Sequence, residues 1–257
     1  MSIVIAPDKF KGTLSAPAVA AALANGVRSV RPGAPLALCP MADGGEGTLD
    51  VLLAARRGQR RRVACRGPFG DAIDADVGLI DGAAVAVVEL AQAAGWTTLA
   101  GRRPDPLVAS TFGVGELLGA ALEAQVSRIV LALGGSVTVD GGCGLAQALG
   151  LELFDAAGRR MASPLPPGRL EEVRYVESAA MTARFADVAL SIAADVLNPL
   201  LGPSGASRTF GPQKGADAAG VERLERRAGA WAGVLESASG WLLRDEPGGG
   251  DGGAHCR

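Results

Sequence analysis

The sequence predicts an α/β protein made of two α/β units, and three observations carry that expectation. A short apolar run rich in β-branched residues, at 2–6, is followed by a helical stretch, and the pair repeats once before residue 58. From about Arg60 the texture changes to three consecutive strand-like runs separated by turn signals. Beyond residue 115 helix and strand patterns alternate again. A β-α-β-α opening favours a parallel sheet whose functional loops lie beyond the strand C-termini.

Taken in order, residues 2–6 read as a buried strand stopped by Pro7. Ser15 is placed to cap a helix that has Pro17 in its first turn and runs to about Val30. Residues 35–39 form a second strand, and after the loop 40–47 a helix carries Leu49, Leu52 and Leu53 on one face. Runs at 61–65, 73–80 and 84–90, punctuated by Gly67-Pro68 and Asp81-Gly82, make an antiparallel meander. A helix at about 115–124, a strand at 128–133 and a glycine-rich loop follow. The last strand, 188–193, enters a long loop from 194 to 216, and Asp217 caps a final helix to about Leu235. No internal repeat occurs, so the boundary between the two units is expected near residue 58.

Composition narrows the function classes. A chain of 257 residues with 48% hydrophobic and 20% charged residues can enclose a core and is too apolar for disorder. A net charge of -2 gives no positive field to hold a polyanion, so nucleic acid is not an expected partner. The longest apolar segment, 83–96, is interrupted by Glu89 and Gln92 and is too short for a bilayer, and the N-terminus lacks a signal-peptide core. Cys39, Cys65, Cys143 and Cys256 form no CxxC pair and read as reduced thiols, so the expected location is the cytoplasm. The sole histidine, His255, lies in a glycine-rich tail, which leaves acid–base work to carboxylates, lysine or water. No sequence signal bears on oligomeric state.

Four loops combine glycine with ionisable residues: 6–13, 41–48, 134–142 and 195–214. Glycines let backbone N–H groups approach phosphate oxygens, and a helix N-terminus downstream adds a favourable dipole. The chain has three lysines against 22 arginines, and Lys9, Lys11 and Lys214 all fall inside these loops. A compact ammonium suits a phosphate, although loops also collect charge because they are exposed. Asp43 and Glu46 straddle two glycines before a helix. They either serve a metal-bound phosphate or a hydroxyl, or cap that helix as a pair three residues apart. Asp140 and Asp195 admit a plain reading as turn residues. No Gly-Lys dipeptide occurs, which excludes a Walker A loop. Gly142-Cys143-Gly144 has Gln147 where a dinucleotide fingerprint needs glycine, and residues 248–253 fit GxGxxG only by composition.

Together these loops resemble those of the bacterial glycerate kinase type-1 family. Residues 6–15, APDKFKGTLS, are similar to that family's APDSFKGSLSA, and 40–48, PMADGGEGT, to its PMADGGEGT. Gly134-Gly135-Ser136 with Asp140-Gly141-Gly142 resembles GGSATNDGG, and residues 198–216 resemble NPLLGPNGASxxFGPQKGA. The resemblance implies a flavodoxin-like parallel-sheet domain, of which residues 1–58 are the N-terminal part, with an inserted mixed α/β domain over 59–247. It implies ATP and Mg²⁺, D-glycerate as acceptor and 2-phosphoglycerate as the usual product. By the same resemblance Lys11, Asp43, Glu46 and Asp195 are the catalytic candidates, with Asp43 and Asp195 as metal ligands. Asp8, Lys9, Thr13, Gly134, Gly135, Ser136, Asp140, Gly141, Gly142, Asn198 and Lys214 are implied to bind substrate or phosphate.

Two departures stand out. Val139 occupies a position where the family pattern has asparagine, which removes a polar side chain beside Asp140. Residues 244–248, RDEPG, resemble the start of a family segment, but 249–257 do not continue it. Members of the family run on through further βαβ units, including a TGEGRLD motif. The chain therefore reads as a truncated or frameshifted member with an anomalous tail at 248–257 and little or no activity, or as a fragment that binds a nucleotide or organic anion without turnover.

Overall fold

The computed structural model describes residues 2–244 and 248–250. The expected tail, apart from residues 248–250, and with it His255 and Cys256, lies outside the described residues.

The first unit is small. Strand β1 (Ile3–Ile5) pairs in parallel with β2 (Leu36–Leu38), and helix α1 (Ala16–Val30) makes the crossover. Ser15 caps α1 through its hydroxyl, which accepts from the Ala18 N–H. The helix covers one face of the pair, where Ile5, Ala20 and Ala24 are buried. Side chains alternate across a strand, so Val4 points away from that helix and is 64% exposed. The strand expected to be buried at 2–6 is thus covered on one side only.

The second sheet has five strands in the order β3-β4-β5-β6-β9. Strands β3 (Gln59–Arg66), β4 (Ala72–Ile80) and β5 (Val85–Glu89) form the expected antiparallel meander. Strands β6 (Arg128–Ala132) and β9 (Ala189–Ala193) then continue in parallel from β5. Both faces of β5 are buried. Ala86 and Val88 face a core built with Val114, Leu117 and Leu118 of the helix that precedes β6, while Val87 meets Leu49 and Leu53 of helix α2 (Thr48–Arg56). Between β5 and β6 the chain forms the short α3 (Ala91–Ala94) and then α4 (Phe112–Glu123), which begins three residues before the sequence pattern suggested.

Packing crosses the boundary expected near residue 58. Helix α2 lays Leu49 and Leu53 against Ile80 and Val87 of the five-stranded sheet. Gly78 makes room for it, since a Cβ there would stand 2.5 Å from Leu49 Cδ1.

Between β6 and β9 the chain builds elements that its hydrophobic pattern did not announce: α5 (Cys143–Ala148), the antiparallel pair β7 (Glu152–Phe154) and β8 (Tyr175–Glu177), and α6 (Ala179–Ala183). The pair is too short for a periodic signal and is held by stacked Phe154 and Tyr175 rings, 5.1 Å apart. The expected unbroken loop at 194–216 contains α7 (Ala206–Phe210). Helix α8 (Ala218–Ser239) starts at the predicted Asp217 cap, whose carboxylate accepts from the Gly220 N–H at 2.6 Å. Its Trp231 is buried with Leu153, Leu165 and Leu170 in a second core.

Candidate active site

Each of the four glycine-bearing loops follows the C-terminal end of a strand paired in parallel: β1, β2, β6 or β9. They meet at one cleft of about 230 Å³. Lys9 and Lys11 come from the first loop, Asp43, Gly45 and Glu46 from the second, Gly134, Gly135, Ser136, Asp140, Gly141 and Gly142 from the third, and Asp195 and Lys214 from the fourth. Asp8, Thr13 and Asn198 do not line it. Asp8 accepts from the Lys9 N–H at 2.6 Å, Thr13 donates to the Lys11 carbonyl, and Asn198 donates to the Ser204 carbonyl, so these three shape their own loops.

The second loop touches the sheet backbone to backbone. Gly44, at φ +91°, lies so close to β9 that a Cβ would fall 2.7 Å from the Ala193 carbonyl oxygen. The Gly44 carbonyl accepts from the Gly134 N–H at 3.0 Å, and a Cβ on Gly134 would sit 2.7 Å from Gly45 Cα. Only glycine permits this approach. Asp43 and Glu46 do not cap α2. The N-cap is Gly47, without a side chain, and the donors go instead to Glu89, the last residue of β5. Its Oε1 accepts from the Gly47 N–H at 2.7 Å and its Oε2 from the Leu49 N–H at 3.3 Å.

Charges in the cleft are paired in ways that spacing along the chain does not reveal. Lys9 Nζ lies 2.8 Å from Asp43 Oδ1 and 3.6 Å from Asp8. Partial burial pushes the Asp43 carboxyl up, but hydrogen bonds from Lys9 and the Gly45 N–H outweigh it and hold the group below the ordinary range. Burial likewise pushes the Lys9 ammonium down, and the two aspartates turn the balance upward. Lys214 is buried and donates to Ser136 Oγ at 2.7 Å and to the Thr138 carbonyl at 2.8 Å, which ties the fourth loop to the third.

Asp140 is buried at the N-termini of two helices. It accepts from the Thr111 N–H and hydroxyl, at 2.8 and 2.9 Å, and more distantly from the N–H groups of Gly142 and Gly144. Burial raises its pKa and those donors oppose the rise. Both oxygens of the carboxylate implied to bind substrate thus accept from the protein, and they join the third loop to the starts of α4 and α5. The Gly141 carbonyl of that loop accepts from Trp231 Nε1 at 2.9 Å.

Glu89, Thr111 and Trp96 were missed by reading the loops alone. Thr111 and the 42% exposed Trp96 line the cleft. Glu89 left one trace in the sequence, a lone carboxylate in an otherwise apolar strand.

The glycerate kinase family model matches residues 3–256. The chain belongs to the glycerate kinase family. Among similar proteins, glycerate 2-kinase of Escherichia coli strain K12 is 40% identical over 250 residues, and glycerate kinase of Bacillus subtilis strain 168 is 41% identical over 252. Each alignment covers 97% of this chain and 65% of the relative, so the chain spans just under two thirds of those glycerate kinases. A crystal structure assigned to glycerate kinase 2 of Salmonella typhimurium LT2 superposes with a TM-score of 0.87 at 39% identity, covering 99% of this chain and 68% of that one. The α/β architecture is therefore that of a solved glycerate kinase.

Among the described residues no group of three or more His, Cys, Asp or Glu side chains could cage a metal ion. Of the cleft's carboxylates, Asp43, Glu46 and Asp195 are hard oxygen donors of the kind Mg²⁺ accepts one or two at a time beside substrate phosphates. No helix among the described residues is long and apolar enough to cross a membrane.

Proposed function

We propose that the cleft transfers the γ-phosphoryl group of ATP to a hydroxyl of D-glycerate. The hydroxyl oxygen bonds to the γ-phosphorus as the bond to the β-phosphate oxygen breaks, ADP leaves, and the hydroxyl proton is released. The observation that carries this reading is the meeting of three lysines, a glycine-rich turn and four carboxylates from four separate loops in one cleft.

Phosphoryl transfer asks for positioning and charge neutralisation more than for a strong base, which suits a site without histidine among the described residues. Lys11 faces the cleft and supplies a point charge for the transferring phosphate or the substrate carboxylate. Gly134 and Gly135 bring backbone close to the phosphates, and Lys214 orders that turn through Ser136. A carboxylate held below its ordinary range is a poor proton acceptor and a good oxygen donor, so Asp43 is read as a Mg²⁺ ligand with Asp195, and Lys9 as the group that orients Asp43. Bound Mg²⁺ would neutralise charge on the phosphate oxygens. Glu46 is read as orienting the acceptor hydroxyl.

A coupled ADP-release assay with ATP·Mg²⁺ and D-glycerate tests the reading, beside calorimetry of each ligand alone. Turnover that requires D-glycerate supports it. Binding of both ligands without ADP release would leave an anion-binding role, and absence of both signals would overturn the assignment. Phosphorus NMR of the product distinguishes 2-phosphoglycerate from the 3-isomer.

A further inference from the structure

We infer that Glu89 is a positioning residue: its carboxylate is the clasp that locks the loop bearing Asp43 and Glu46 onto the end of the five-stranded sheet. The inference rests on the phosphoryl-transfer reading for its catalytic consequence, but the clasp itself stands on geometry.

Glu89 is fully buried and lies 42 residues from Gly47 in sequence, yet its two oxygens take the first donors of α2. Side chains alternate along β5, and Glu89 follows Val85 and Val87 on the face that α2 covers. A glycine N-cap offers the helix no side-chain acceptor, so the strand supplies one from across the structure. An anionic group here also meets the positive end of the helix dipole. The groups that face it are the N–H donors of Gly47 and Leu49, with the carboxylates of Asp50 and Glu46 adding repulsion from α2 and its leading loop.

A buried carboxylate is costly unless its oxygens are satisfied. Apolar residues would serve the α2 packing better. What the carboxylate adds is a fixed position for residues 43–47. Gly44 bonds to Gly134 beyond β6, a Cβ on it would meet Ala193 of β9, and Glu89 holds the far end of the same loop from β5. Three adjacent strand ends thus set where Asp43 and Glu46 stand relative to the Gly134–Ser136 turn.

The test is Glu89→Gln, which keeps the shape but turns one oxygen into an amide donor that opposes the Leu49 N–H. Hydrogen exchange of the segment 43–53 and steady-state ADP release are read together, with far-UV circular dichroism as the check on folding. The expected result is a folded variant in which the Gly47 and Leu49 amides exchange roughly tenfold faster. Protection in β5 and β6 should be unchanged. In parallel kcat should fall roughly tenfold to a hundredfold, as for a misplaced catalytic group. The KM for D-glycerate should stay near wild type, because carboxylates contribute little to holding an anion in the ground state.

Wild-type exchange in the folded variant would overturn the clasp. Faster exchange with unchanged kcat would overturn its positioning role. A wild-type chain without turnover counts against the phosphoryl-transfer reading, and the exchange arm then decides the clasp by itself. Should the glutamine variant not fold, Glu89→Asp is read in the same way: it keeps the charge but is too short to reach both donors, so wild-type exchange in it would equally overturn the clasp.

Discussion

On the phosphoryl-transfer reading, Lys11 and Glu89 illustrate two ways a single side chain serves this cleft. Lys11 faces the cleft, so Lys11→Ala should cut phosphoryl transfer by about a hundredfold to a thousandfold, with arginine restoring only part because its planar fork does not replace a point charge. Wild-type rates in the alanine variant, measured by ADP release, would remove Lys11 from the mechanism. Raised KM at constant kcat would move it to ground-state binding. Glu89 acts from behind the loop, and burial, opposed by the Gly47 and Leu49 N–H groups, lifts its carboxyl from 4.5 to about 7. In that window the folded state holds a proton that the unfolded chain has released. Its contribution therefore lowers stability as pH rises from 4.5 to 7 and is constant above, by on the order of 3 kcal/mol. Glu89→Gln has no such proton to lose. Urea melts at pH 5 and pH 8 should show the glutamine variant gaining on wild type at the higher pH, and parallel shifts would refute the assignment. In the sequence Lys11 stood out through the scarcity of lysine and the family resemblance, Glu89 only as a charge interrupting an apolar run.

At the scale of elements, helices and sheet meet through glycines that leave no space for a side chain. Gly113 in α4 is the tightest case, since a Cβ would stand 1.7 Å from the Arg66 carbonyl oxygen at the end of β3. That neighbour is backbone and cannot rotate away, so Gly113→Ala should cost about 3 kcal/mol despite alanine's better helix propensity. Thermal melts check this, and a variant as stable as wild type would mean that α4 can shift off β3 freely. The elements themselves were largely legible. The Ser15 and Asp217 caps, the meander and strands β6 and β9 follow from periodicity and capping chemistry, which act over a few residues. Helices α5 and α7 and the β7–β8 pair were not, because three to six residues are too few to show a period and their stability comes from packing onto α8 and its neighbours.

For the molecule as a whole, the distribution of core decides where it opens first. The five-stranded sheet buries large residues on both faces, whereas the β1-α1-β2 unit buries Ile5 with Ala20 and Ala24 and leaves Val4 and Leu38 exposed. Burial stabilises roughly in proportion to apolar area, so the small unit gains least. Native-state hydrogen exchange should find amides of β1 and β2 opening at lower free energy than those of β5 and β6. Equal protection would show that the loops of the cleft, rather than the core, hold the small unit in place. Since Lys9 and Lys11 ride on this unit and Asp43 is paired to Lys9 across the loops, opening it would also disassemble the cleft.

The sequence by itself determined the α/β class, the order of most elements and the four loops that carry charge and glycine, because each depends on local spacing. It also carried the family resemblance that the comparisons bear out. Only the tertiary structure decided which polar groups meet. Lys9 is spent on Asp43, Lys214 on Ser136 and Thr138, Asp140 on Thr111, and Glu89 on the first turn of a helix 40 and 42 residues away. The order in which strands lie side by side sets those partners, and strand order is fixed by packing between segments far apart in the chain, which no local pattern encodes.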